Sequence, residues 1–142
     1  MLVDANILLF ATNRDSPFHR PALRWLSDAL AGAEPIALPW QSLAAFLRVS
    51  THPTALPRPV TPQVAWRQVE SWLAVPTVWV PAPSSRYAHL LGELVVKYRL
   101  AGSAVTDAQL AALALDHGLA VVSADTDFAR FTELEWVNPV AP

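Results

Sequence analysis

Five short apolar runs punctuate this chain, within MLVDAN, PIALP, TVWVP, LAVVSAD and LEWVNP, and stretches of helical spacing separate them. A run of three to five apolar residues closed by a polar break is the pattern of a strand buried on both faces of a parallel sheet. Strand and helix in alternation predict an α/β fold, with a mainly parallel central sheet and helices on both faces. In such sheets ligands bind beyond the carboxyl ends of the strands, where the connections reverse direction. That rule says where chemistry belongs.

The first run leads directly into a helix. FHRPALRWLSDALAG places Leu23, Leu26 and Leu30 at helical spacing and ends at Gly32, the expected C-terminal cap. WQSLAAFLRVSTH puts Leu43, Phe46 and Leu47 on one helical face and Arg48 toward the other. Residues 53–62, PTALPRPVTP, hold four prolines and no helical period, so they form a rigid loop. Thr61 and Pro62 then read as N-cap and first residue of a helix that buries Val69, Trp72 and Leu73. SSRYAHLLGELVVKYRLAG is a long helix with Leu90, Leu94 and Val95 inward, closed by Gly102, and VTDAQLAALALDHG is the next.

With 142 residues the chain fits one domain spanning 1–142. Ten Lys+Arg against twelve Asp+Glu leave a net charge of −2, which excludes a polycationic nucleic-acid binder but not a local basic patch. Cysteine is absent, which removes disulfides, thiolate zinc sites and a cysteine nucleophile, and suits a reducing cytoplasm. The apolar start lacks a basic residue and is broken by Asp4 and Asn6, so it reads as a strand rather than a signal peptide. No apolar run approaches the roughly 18 residues needed to span a bilayer. A soluble cytoplasmic protein is expected.

The informative charges are carboxylates. Asp4 ends the first strand, Asp125 ends LAVVSA, and Asp107 begins the helix that feeds that later strand, so all three map to one sheet edge. Each has a bland reading. Thr106 and Gln109 fit a capping box, which would make Asp107 an ordinary first-turn acid. Asp125 and Asp127 fit a turn that hydrogen-bonds its own backbone. Asp4 resists such a reading, because a carboxylate after apolar residues is costly to bury without a partner. Carboxylates converging on one edge repel and raise one another's pKa unless a cation is present. A hard divalent metal, Mg²⁺ or Mn²⁺, resolves the conflict and supports phosphodiester hydrolysis without a side-chain nucleophile.

These residues carry a family resemblance. LVDANILLF, TDAQLAALA and SADTDFARF, in that order, resemble the PIN domain of VapC-type toxins, and ALPWQSLAAFLRVST and EWVNP extend the likeness over nearly the whole chain. The resemblance implies a PIN-like three-layer sandwich and a metal-dependent endoribonuclease of a toxin–antitoxin pair. It implies as partners an RNA substrate, a small cognate antitoxin that inserts a segment into the active-site groove, and a second copy in a homodimer. Carried over by position, Asp4, Asp107 and Asp125 match the family's catalytic acids and metal ligands, with Asp127 beside them as an additional ligand or as a group that supports one. Asn6, Thr106 and Ser123 match supporting pocket residues.

One departure stands out. PIN domains commonly carry another acid, usually glutamate, in the helix after the second strand, where this chain has Ala44 and Ala45. Either the remaining aspartates suffice for one metal, or Asp127 or another group substitutes, or the domain is degenerate and binds antitoxin or RNA without cutting it. Two competing classes fit less well. A phosphoacceptor receiver wants a lysine at a late strand end, whereas the only lysine here is Lys97 in a helix, and a haloacid-type phosphatase wants an acid where Asn6 stands.

Arg48 is either a phosphate clamp or a surface arginine covering apolar area. Arg14, His19, Arg20 and Arg24 read as a solvated basic face. Among six tryptophans, Trp25, Trp66, Trp72, Trp79 and Trp136 lie in patterned segments and are expected in core or dimer packing. Trp40 follows Pro39 at the functional edge and could contact a base. His89 and His117 have no ligand spacing, and Glu93 is expected on a solvated face.

Overall fold

The computed structural model describes residues 1–142. Strand β1 (Leu2–Val3) passes into α1 (Ala5–Thr12) and α2 (His19–Ala31), then β2 (Ile36–Ala37), α3 (Trp40–Ser50), α4 (Pro62–Leu73) and β3 (Val78–Trp79). α5 (Tyr87–Lys97), α6 (Ala104–His117), β4 (Val121–Val122), a 3₁₀ turn (Thr126–Arg130) and β5 (Trp136–Val137) complete the chain. The five strands form one sheet in the order β3-β2-β1-β4-β5. Every pairing is parallel, with Leu2 opposite Ala37 and Val121, and Val3 opposite Val122.

Each strand sends successive side chains to opposite faces. Val3, Ile36 and Val122 therefore join Ile7, Leu8, Leu26, Leu43, Phe46 and Trp72 beneath α1 to α4. Leu2, Ala37 and Val121 join Leu94, Ala111, Leu113, Phe128 and Phe131 beneath α5 and α6. Helices thus cover both faces, in the three layers expected. No helix is long and apolar enough to cross a membrane.

The cap of α4 forms as read, with Thr61 Oγ1 accepting from Val64 N at 3.3 Å and Pro62 beginning the helix. Three local expectations are corrected. α5 ends at Lys97, because Arg99 takes the left-handed conformation (φ 51°) three residues before Gly102. Leu23 is exposed, and the buried face of α2 is built from Ala22 and Leu26. Trp66 loses only the core half of its core-or-dimer expectation: it is 43% exposed in the single chain, whereas Trp72 is 5% exposed and packs edge-on against Phe46 at 4.8 Å.

β1 lies between β2 and β4, so the chain's path reverses direction across the sheet at the β1/β4 boundary. A crevice opens beyond the carboxyl ends of strands at such a point. Asp4 and the segment Ser123–Asp125 sit there.

Candidate active site

Asp4 stands between β1 and α1, its amide donating to Val122 O at 3.0 Å in the strand ladder. It is also the N-cap of α1, with Oδ1 accepting from Ala5 N at 2.6 Å. Oδ2 accepts from Ser123 Oγ at 2.6 Å and from Asn6 Nδ2 at 2.9 Å. Ser123, fully buried at the end of β4, also accepts from Asn6 Nδ2 at 2.9 Å and Asp125 N at 3.0 Å. Asn6 Oδ1 closes the network by accepting from Ala124 N at 3.2 Å. β1, α1 and β4 are thereby tied together by side chains at the sheet edge.

Asp107 enters from the first turn of α6, where the helix dipole favours a carboxylate. Asp125 caps the 3₁₀ turn, accepting from Asp127 N at 2.8 Å. One carboxylate oxygen from each of Asp107, Asp125 and Asp127 falls within 4.8 Å of the others. Asp4 lies beside this trio, close enough for its charge to act on Asp107.

The electrostatics follow from that crowding. Burial pushes the Asp4 carboxyl up, the hydrogen bonds from Ser123 and Ala5 pull it back, and the Asp125 charge pushes it up again. Asp107 is raised to about 6, first by burial and then by the charges of Asp125, Asp4 and Asp127, with Arg130 acting against them. Four carboxylates with a single nearby cation are a repulsive arrangement in the free protein. Their donor set is all oxygen and several-fold anionic, and so fits a hard divalent cation.

Arg130 joins the site with no expectation from the sequence. Its guanidinium meets Asp127 Oδ2 at 3.0 Å, and its Nε donates to Asp127 O at 3.0 Å. The available signal was the i,i+3 spacing of Asp127 and Arg130. Thr106 lies inside α6 and is exposed; the helix begins at Ala104, so the capping box is not formed. In α3, Ala44 is exposed and Ala45 half-buried, and no acid in that helix reaches the cluster. Trp40 is 51% exposed and opens α3 at the functional edge, while Arg48 lies two turns along. Glu93 is exposed and pairs with His89 at 3.2 Å; His117 Nε2 meets Ala82 O at 2.7 Å.

The PIN domain family model matches residues 1–134. Ribonuclease VapC37 of Mycobacterium tuberculosis is 41% identical over 140 residues, covering 99% of this chain and 97% of the relative. Ribonuclease VapC31 of the same organism is 37% identical over 138 residues, covering 97% of each. Among solved structures, VapBC-1 from nontypeable Haemophilus influenzae superposes with a TM-score of 0.71 at 16% identity, covering 99% of this chain and 98% of that one. That last likeness is one of fold. The crevice acids, the all-parallel sheet and the full-length match to the curated relatives together show that this chain belongs to the PIN-domain family, among the VapC ribonucleases.

Proposed function

We propose that the protein is a divalent-metal-dependent endoribonuclease, the toxin of a toxin–antitoxin pair. The observation that carries this reading is the convergence of Asp107, Asp125 and Asp127 beside Asp4, in a chain 41% identical to a ribonuclease over nearly its whole length. Asp4, Asp107, Asp125 and Asp127 would hold Mg²⁺ or Mn²⁺. When bound, such an ion offsets charge on the phosphodiester and supplies a water of lowered pKa.

The chain's own residues do the positioning. Ser123 and Asn6 fix Asp4 Oδ2, and Ala5 N fixes Oδ1, so neither carboxylate oxygen is free to rotate into the apolar layer. Arg130 holds Asp127 against the other acids and offsets part of their repulsion. Asp127, on this reading, supplies the negative charge that the half-buried Ala45 leaves out of α3.

Several solved neighbours are toxin–antitoxin complexes, such as that from Klebsiella pneumoniae (TM-score 0.62, 21% identity). A small antitoxin that covers the acidic crevice, and a homodimer of this chain, complete the proposal. The test is purified protein with single-stranded RNA. Cleavage should need added Mg²⁺ or Mn²⁺ and stop in excess EDTA; RNA that binds yet stays intact with either metal would favour the degenerate alternative.

A further inference from the structure

The outer flank of α3 and the start of α4 carry polar and aromatic groups that the acidic crevice does not use. Trp40 begins α3 one strand over from Asp4 and exposes 51% of its surface. Arg48 follows eight residues later, ~12 Å along the helix at ~1.5 Å per residue. There it lines a cavity of about 400 Å³ together with Leu47, Thr51, Pro62 and Trp66. Trp66 is 43% exposed, although aromatic side chains of this size are normally covered.

This flank carries Arg48 on α3 and Arg67 on α4, with one acid, Glu70, exposed a turn beyond Trp66. The side-chain ion pairs of Arg58, Arg86, Lys97 and Arg130 lie elsewhere, which leaves the Arg48 guanidinium without a carboxylate. α3 contains no acid at all, and the surface between Trp40 and Arg48 is the exposed Ala44. An acid there would repel a phosphate chain; alanine does not.

We propose that this flank is a track for single-stranded RNA leaving the acidic crevice. Trp40 stacks on a base at the crevice edge. Arg48 then holds a phosphate a few nucleotides on, and Trp66 stacks on the base beside it. Stacking on an aromatic face needs an unpaired base, so the substrate class is unpaired RNA extending past the cleavage position. This deepens the ribonuclease reading and rests on it. A second copy of the chain or another protein is the less favoured occupant, because a guanidinium without an ion pair beside the exposed Trp66 matches a phosphate and a base more closely than an apolar contact.

The test measures binding of a mixed-sequence single-stranded RNA oligonucleotide to the full chain in EDTA, by quenching of tryptophan fluorescence, alongside cleavage kinetics in Mg²⁺. Trp66→Ala should weaken binding about tenfold, with Trp66→Phe close to wild type. Arg48→Ala should weaken it about fivefold and lower the salt slope by about one ion, with Arg48→Lys in between. The losses should appear in KM, with kcat retained. Wild type that binds and cleaves RNA while Trp66→Ala and Arg48→Ala bind equally well would overturn the track and leave the ribonuclease reading standing. Loss of binding that coincides with dissociation of a dimer in sedimentation would overturn it in favour of a subunit interface. Wild type that neither binds nor cleaves RNA would overturn both.

Discussion

The Ser123 hydroxyl donates to Asp4 Oδ2 at 2.6 Å across 119 residues of sequence, and it does so from a fully buried position at the end of β4. Ser123 Oγ in turn accepts from Asn6 Nδ2 and Asp125 N. One hydroxyl therefore sets the spacing between the first acid and the acids of the 3₁₀ turn. Ser123→Ala leaves buried partners unsatisfied and should cost about 1–3 kcal/mol in urea unfolding. Stability equal to wild type would show that the hydroxyl does not organise the edge.

Asp107 gives the metal-free protein a pH dependence. Its carboxyl stands at about 6 in the folded chain against 3.8 for an unperturbed aspartate. A raised acid favours folding where it is protonated, so this contribution is fully present below about 4 and is lost as pH rises through 6. Asp4, also raised, acts in the same direction. In EDTA, Asp107→Asn should melt higher than wild type at pH 8, and the gap should close by pH 4. A variant that melts lower than wild type at pH 8 would contradict the repulsive picture.

Metal should reverse that ordering. Mg²⁺ or Mn²⁺ at 100 times its Kd stabilises a single site by about 2.7 kcal/mol, and protons compete for the same oxygens. Thermal melts of wild type should therefore rise with added metal at pH 8, rise less at pH 5, and show little response in Asp107→Asn. An equal response in that variant would place the ion elsewhere.

Trp72 and Trp66, six residues apart on α4, should separate core from surface. Trp72 packs against Phe46 at 4.8 Å and is 5% exposed, so Trp72→Ala should cost about 3–5 kcal/mol. Trp66→Ala should stay within about 0.5 kcal/mol of wild type. Paired urea denaturation curves check both.

Ala44→Glu places a charge on the exposed flank of α3. At about 1 kcal/mol for one charge near a phosphate in water, RNA binding should fall about fivefold, while the metal-dependent rise in melting temperature stays unchanged. A gain in metal affinity instead would mean that this position faces the crevice.

Much of this was legible in the sequence, because short apolar runs with polar breaks encode a parallel sheet strongly. All five strands lie within their runs, and the acids at the ends of β1 and β4 follow from where those runs stop. The rest depended on tertiary packing. Arg99 ends α5 through a left-handed residue that no glycine signals. Trp66 shares its helix's apolar period but falls outside the buried stripe. Asp125 satisfies both readings at once: it accepts the turn bond from Asp127 N and joins the acidic trio, so local chemistry alone could not separate turn from site. Arg130 mattered only once the 3₁₀ turn brought it round to Asp127.

The central claim is that the crevice acids make RNA cleavage metal-dependent. The most direct measurement is the initial rate of cleavage of a labelled single-stranded RNA, with Mg²⁺ titrated against wild type, Asp4→Asn and Asp107→Asn, each checked for folding. The expected rate saturates with metal in wild type and falls at least about 100-fold in both variants. Cleavage by either variant at the wild-type rate, or by wild type in excess EDTA, would contradict it.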